Sequence, residues 1–359
     1  MKVLFDARPL TIPSPGGVTR LTRSLLQALA PTLPNDHCFF GTTGQHKLDL
    51  GIELPSSSQR VHLGIPNKVV SSLTSLGLAS FEDFFPRLEP DVLLFPNNGH
   101  VGRPKLPYGI ILHDLSFLVE PTWFNWRGQV WHKIVHAKRL MTEATRIFAV
   151  SDWTKFALQL HLTIPESRID VLPIPRASSM PVPGELPKIV KHKRYVLCLG
   201  RQDRRKNASC VVAAMQQLQT MPAYKDLHLV IVGGYHEQLH ERFIILPRVD
   251  DATLSALYQS ASAFLYPSWY EGLGIPLHEA DAFQVPCVAS STSAMPEAAP
   301  AGTLFASPAK PHEWALAIQA ALEQGKVIQS TTRFLQSTNH SDWYKTVEPI
   351  KMFLETYRT

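Results

Sequence analysis

No stretch of this 359-residue chain stays apolar for the roughly 20 residues that a helix needs to cross a bilayer. The start, Met1-Lys-Val-Leu-Phe-Asp6, has no extended apolar region of the signal-peptide kind and is expected to be a first strand. Together these absences predict a cytoplasmic globular protein. Cysteine is scarce, and Cys38, Cys198, Cys210 and Cys287 show no C-x-x-C spacing. Cys198 and Cys287 fall inside expected buried strands, so free thiols are expected. No Asp-x-Asp pair occurs anywhere. Enzymes that hold a diphosphate through a divalent cation usually need such carboxylates, so no essential metal is expected. No repeat of solenoid period and no low-complexity tract is present.

What is present is enough apolar material, 45% of residues, for two full cores. The net charge of +5 suits an acidic ligand or an anionic membrane surface, but it also suits many soluble proteins. Short apolar runs alternate with longer amphipathic segments, the pattern of parallel α/β sheets. Strands are expected at Val3–Phe5, His37–Phe40, Val92–Phe95, Gly109–Leu112, Ile147–Val150 and Asp170–Leu172, then at Tyr195–Leu199, His228–Val232, Phe243–Leu246, Ala263–Tyr266 and Cys287–Ser290. Between the two runs, Pro173 to Gly184 is too proline-rich for a regular element and is expected to be a linker. The fold class is therefore α/β, two Rossmann-like parallel-sheet domains over residues 1–178 and 179–340. Ligands of such sheets bind beyond the carboxyl ends of the strands, so the halves are expected to face a central cleft.

The segment Ser268-Trp-Tyr-Glu271-Gly-Leu-Gly-Ile-Pro-Leu-His-Glu279 carries the most chemistry. It follows the expected strand Ala263–Tyr266, and Pro276 suits the first turn of a helix. Gly272 and Gly274 then lie in the strand-to-helix connection. Free of side chains, the backbone around Gly272, Leu273, Gly274 and Ile275 can approach a diphosphate at the positive end of the helix. Glu271 and Glu279 would flank that anion site, one toward a sugar and one toward a ribose. The same pattern also suits a plain glycine turn whose acids favour the helix N-terminus.

Arg201-Gln-Asp-Arg-Arg-Lys206-Asn207 follows the strand Tyr195–Leu199, with Asn207 expected as the N-cap of a helix. A basic cluster at the mouth of a strand suits a diphosphate, or else it is a solvated basic turn with Lys206 at the surface. Pro15-Gly16-Gly17-Val18-Thr19-Arg20 leads from the first strand toward a helix and, taken alone, is a loop. His113 follows Gly109–Leu112 at a strand's carboxyl end, where a lone histidine is either structural or catalytic. His236-Glu237-Gln-Leu-His240 has the H-E-x-x-H zinc spacing and raises a zinc peptidase as a rival class. Its polar stretch is too short for the long buried helix of a metalloprotease, and no third ligand is indicated. From Trp123 to Lys155, basic residues interleave with Trp123, Phe124, Trp126 and Trp131. That suits either a solvated helix with its aromatics turned to the core or a helix on anionic lipid.

Taken together, these motifs resemble retaining glycosyltransferases of family 4, which have the GT-B fold and carry E-x7-E where Glu271 and Glu279 stand. The resemblance continues through Ala280 to Ser290 and Thr292 to Glu297, and its Asp6-Ala-Arg, His113-Asp114 and Arg205-Lys-Asn207 features are similar to bacterial mannosyl- and related transferases of surface polysaccharide assembly. It implies that Arg201 and Lys206 neutralise charge on the departing nucleoside diphosphate, that Glu271 holds sugar hydroxyls and Glu279 the ribose diol. It also implies that Gly16 and Gly17 form a loop at the acceptor and phosphate side, with His113 near the transferred sugar. The family pattern continues Gly-Arg-Tyr where this chain has Thr19-Arg20-Leu21. The C-terminal segment 341–359 is implied to cross back onto the first domain. A GDP-mannose donor is expected first and a UDP-sugar such as UDP-glucose second, with a saccharide or lipid-linked oligosaccharide acceptor, peripheral contact with the inner membrane face, no cofactor and no nucleic acid. A GT-B epimerase or phosphorylase would share the fold, and a non-catalytic sugar-nucleotide binder would share the donor site without turnover.

Overall fold

The computed structural model describes the chain apart from residues 12–15, 34–36, 46–49, 176–179, 201–202, 235–240, 329–340 and 359. The chain divides into two compact units, Met1–Pro175 with Asn339–Thr359, and Arg176–Thr338.

The first unit is built on a seven-stranded sheet, all parallel, in the order β3-β2-β1-β4-β5-β6-β7. The strands are β1 Lys2–Asp6, β2 His37–Thr43, β3 Ser58–Leu63, β4 Val92–Phe95, β5 Tyr108–Leu112, β6 Arg146–Ala149 and β7 Ile169–Val171. Inner strands such as β4 and β5 are buried at every residue, as continuous apolar runs covered on both faces must be. Helices α1 Gly17–Leu29, α2 Asn67–Ser75, α3 Ser116–Val119, α4 Trp126–Ile134, α5 Ala137–Glu143 and α6 Asp152–Leu162 connect them.

The second unit has a six-stranded parallel sheet ordered β10-β9-β8-β11-β12-β13. Its strands are β8 Tyr195–Leu199, β9 His228–Val232, β10 Phe243–Leu246, β11 Ala263–Tyr266, β12 Cys287–Ser290 and β13 Leu304–Ala306. The helices here are α7 Ala208–Leu218, α8 Asp251–Ser260, α9 Ile275–Ala282, α10 Met295–Ala298 and α11 Pro311–Ile328. All four cysteines are buried free thiols. Burial pushes the Cys198 thiol up to about 12 and Cys210 to about 11, which leaves both inert as nucleophiles at neutral pH.

Two expectations need correction. Strands β3 and β13 add to those expected from apolar runs. Both are edge strands, and they are only partly buried, so neither carries the run that marks an inner strand. The aromatics interleaved with the basic residues of segment 123–155 do not all turn to the core: Phe124 packs against it, but α4 buries no residue and Trp126 is 69% exposed.

The last helix, α12 Ser341–Glu355, packs against α1 within the first unit. Its Phe353 meets Phe148 edge-on at 5.9 Å between centroids, and Thr346 Oγ1 donates to the Pro173 carbonyl at 2.6 Å. Gly109 on β5 makes room for this docking. A Cβ there would lie 2.8 Å from Phe148 and 3.0 Å from Phe353. Gly109→Ala should therefore destabilise the first unit by about 1–3 kcal/mol through overpacking. Denaturant unfolding followed by tryptophan fluorescence checks this, and unchanged stability would mean that α12 does not press on the sheet.

Candidate functional site

In the second unit, β8 leads toward β9 and β10 on one side while β11, β12 and β13 build the other. The junction of β8 and β11, paired at Ala263 to Val196 and Leu265 to Cys198, is thus the sheet's topological switch point. In parallel α/β sheets, ligands bind beyond the carboxyl ends of the strands at such a point. The loops leaving β8 and β11 meet there.

The β8 loop closes in a short 3-10 turn, Arg204–Lys206, capped by Asp203, whose Oδ1 accepts from the Arg205 amide at 2.9 Å. The Trp269 amide of the β11 loop donates to the Arg205 carbonyl at 2.8 Å, joining the two loops. The β12 loop supports Glu271, whose amide donates to Ser293 Oγ at 2.9 Å. These contacts bring Lys206 Nζ to 2.6 Å from Glu271 Oε1 and 2.9 Å from the Tyr266 hydroxyl. Arg205 Nη1 stands 3.9 Å from Glu271 Oε2.

Lys206 and Glu271 are both only 8% exposed. Lys206 is therefore not the surface residue expected from the basic run, because its partner lies 65 positions away and is invisible to local pattern. Arg205, expected to be solvated, is half-buried and faces the same carboxylate. Burial alone would raise the Glu271 carboxyl, but Lys206 and then Arg205 outweigh it and hold it down at about 2.

Asn207 is the N-cap residue of α7, as expected, but its side chain does not do the capping. It sits in the left-handed region at φ 50° with no capping bond from its side chain. Instead its Nδ2 donates to the carbonyls of Pro267 at 3.1 Å and Pro308 at 2.8 Å. Crosslinking two loops satisfies the buried amide better than capping one helix.

Helix α9 begins after Gly274, at φ 84°, with Pro276 in its first turn. A Cβ at Gly274 would lie 3.1 Å from Ala298 Cβ, so both conformation and contact with α10 favour glycine. Gly272 and Leu273 occupy the preceding turn and Ile275 opens the helix. Glu279 lies one turn in, 3% exposed, and its Oε2 accepts from the Tyr258 hydroxyl of α8 at 3.1 Å. Tyr258, Tyr266 and Arg205 are the site residues that sequence reasoning missed. The two tyrosines lie in buried apolar runs, where their hydroxyls leave no periodic signal.

In the first unit, Gly16 is the N-cap residue of α1 and Gly17 its first residue. His113 follows β5, and its Nε2 donates to the Pro96 carbonyl at 2.8 Å. That bond leaves Nδ1 as the acceptor of the neutral ring, and burial pushes the imidazole pKa down. Arg201 and the His236, Glu237 and His240 zinc spacing lie outside the described residues.

Residues 193–324 match the family model of glycosyl transferases group 1. Over 221 residues the chain is 29% identical to O-antigen chain mannosyltransferase B of Escherichia coli, covering 55% of this chain and 56% of the relative. The chain thus spans little more than half the length of that curated relative. Among solved structures, sucrose-phosphate synthase from Thermosynechococcus elongatus has a TM-score of 0.67 at 19% identity, covering 99% of this chain and 97% of that one. Anabaena HepE in complex with UDP-glucose has a TM-score of 0.61 at 16% identity, covering 99% and 100%. These likenesses establish the GT-B fold. Lys206, Glu271 and Glu279 all lie inside the segment that matches the group 1 glycosyl transferase model.

Because the Glu271 carboxyl ionises more readily folded than at its ordinary 4.5, its contribution to stability is complete above about pH 4.5. It is lost as pH falls toward about 2. The stability gap between the native protein and Glu271→Gln should narrow over that window, as measured by denaturant unfolding at stepped pH. At neutral pH, Lys206→Ala should cost about 3–5 kcal/mol by stranding a buried carboxylate. Adding Glu271→Gln to it should recover part of that loss. Strict additivity and a pH-independent gap would show that the two side chains do not pair.

Proposed function

We propose that this GT-B chain is a retaining glycosyltransferase that moves a hexose from a nucleoside-diphosphate sugar to a saccharide or lipid-linked acceptor. The observation carrying the proposal is the buried Lys206 beside Glu271 at the switch point of the group 1 domain. As the bond from anomeric carbon to phosphate oxygen breaks, its electron pair stays on the diphosphate. A fixed cation there stabilises growing charge without reorganising at the moment of reaction, and loss of one such donor typically costs about 3 kcal/mol of barrier.

Within this reading Lys206 and Arg201 neutralise the leaving group, the backbone from Gly272 through Ile275 faces the diphosphate, Glu271 holds sugar hydroxyls and Glu279 the ribose diol. Arg205 helps keep Glu271 ionised. The departing phosphate takes the acceptor's proton as the acceptor oxygen bonds the anomeric carbon on the same face. His113, neutral and fixed by Pro96, offers Nδ1 to a hydroxyl. Gly16 and Gly17 act on the acceptor side. No metal or cofactor takes part.

GDP-mannose is the first donor choice, since the relative's name is mannosyltransferase. A UDP-sugar such as UDP-glucose is the second, since HepE was solved with it. In this reading the reaction runs at the cytoplasmic membrane face, with peripheral contact through the basic aromatic segment.

Thermal stabilisation by a panel of GDP- and UDP-sugars tests the reading. A ligand at about 100 times its Kd should add roughly 2.7 kcal/mol, and EDTA should leave that unchanged. No stabilisation by any sugar nucleotide would defeat it. With a donor and acceptor in hand, NMR of the first-formed product should show the donor's anomeric configuration retained.

The two glutamates should separate in calorimetry. Glu279→Gln should weaken free nucleoside diphosphate by roughly 1.5–3 kcal/mol, the usual worth of a charged hydrogen bond. Glu271→Gln should leave that binding nearly intact and lower kcat for transfer. Equal weakening by both would mean that the donor lies elsewhere.

A further inference from the structure

The first unit holds a cavity of about 720 Å³ that plays no part in the donor site. It is open to solvent and lined by α3, the Pro121 to Phe124 segment, α4 and α5, and its floor is apolar, with Phe117, Leu118 and Phe124. Its remaining wall is cationic. Lys133, Lys138 and Arg139 line it together with two histidines and no acid.

The acids nearby are already engaged. Asp114 Oδ1 accepts from the amide and hydroxyl of Ser116, Glu120 accepts from Thr122, and Glu143 pairs with Arg103. Among the described residues no ion pair involves Lys133, Lys138 or Arg139. No carboxylate of the described residues thus stands within ion-pair distance of these three cations, although Asp114 acts on His132. His132 is rigidly placed, stacked on Phe117 at 4.4 Å and met edge-on by Phe124 at 4.9 Å, so its half of the cavity does not collapse.

Helix α4 connects this cavity to the surface. At 3.6 residues per turn, Gln129, His132 and Lys133 share the face that lines the cavity. Trp126, Val130 and Ile134 fall on the adjoining face, and all three are exposed. One helix thus joins a cationic, apolar-floored cavity to an exposed apolar strip, which matches a ligand with an anionic head and an aliphatic tail.

We propose that this cavity binds a phosphate ester of a long aliphatic alcohol or lipid, its phosphate between Lys138, Arg139 and Lys133 and its first methylenes against Phe117 and Phe124. The ligand is either a lipid-linked phosphate or a membrane phospholipid, which share this chemistry. The site does not depend on the transfer reaction proposed for the other unit.

The test is binding of decyl phosphate below its micellar concentration, followed by intrinsic tryptophan fluorescence and calorimetry. Saturable binding is expected, weakened at least tenfold in Lys138→Gln/Arg139→Gln and in Phe124→Ser. Inorganic phosphate and decyl maltoside should each bind at least tenfold more weakly than decyl phosphate. Dihexanoyl phosphatidylglycerol separates the sources: binding weaker than decyl phosphate assigns a lipid monophosphate, and equal or tighter binding assigns a phospholipid. Decyl maltoside binding as well as decyl phosphate, or variants that bind normally, would overturn the site. Lys138→Gln/Arg139→Gln should keep the native response to the sugar-nucleotide panel, which shows that it is folded. A protein that binds decyl phosphate but no sugar nucleotide would defeat the transferase reading and leave this one standing.

Discussion

The ion pair between Lys206 and Glu271 is the constraint around which the second unit's loops are arranged. Two ions taken from water cost several kcal/mol each unless geometry and further hydrogen bonds compensate. Here the compensation comes from the end of β11 and from the loops after β8 and β12. Tyr266 accepts from the ammonium, Arg205 reinforces the carboxylate, and the Ser293 hydroxyl fixes the Glu271 backbone. A purely structural design would be served as well by apolar residues of similar volume. Charge kept at the switch point of a parallel sheet, where ligands of such sheets bind, is instead suited to work on another charge.

The same arrangement ties the site's loops together. Asn207 ties the loop after β8 to those after β11 and β13, and Gly274 lets α9 begin close against α10. The cation is therefore held by packed parts on three sides, the arrangement that makes preorganised charge effective toward an anionic ligand such as the proposed diphosphate. Glu279 is held separately by Tyr258, from another helix. The two glutamates that share one sequence motif thus belong to two different networks, and different consequences follow from altering each.

Much of this was legible in the chain itself. The inner strands announced themselves as apolar runs, and the turn through Gly272 and Gly274 into Pro276 identified the start of α9, because those signals are local. Edge strands β3 and β13 were silent because a half-exposed strand has no such run. Lys206 looked like a surface lysine, and the side chain of the N-cap residue Asn207 like a capping group, because their partners, Glu271, Pro267 and Pro308, are at least 60 positions distant. Trp126 and its neighbours on α4 could be assigned to neither core nor surface from composition, and only the packing of α3 and α5 decided it.

The central claim is that Lys206 stands ready for a diphosphate. It is tested most directly by calorimetric titration with a nucleoside diphosphate and the matching monophosphate. The comparison is between Glu271→Gln and Glu271→Gln/Lys206→Met, a background in which no carboxylate is stranded. The account predicts that loss of the lysine weakens the diphosphate at least tenfold and leaves the monophosphate nearly unchanged. Diphosphate binding that is indifferent to the lysine would contradict it.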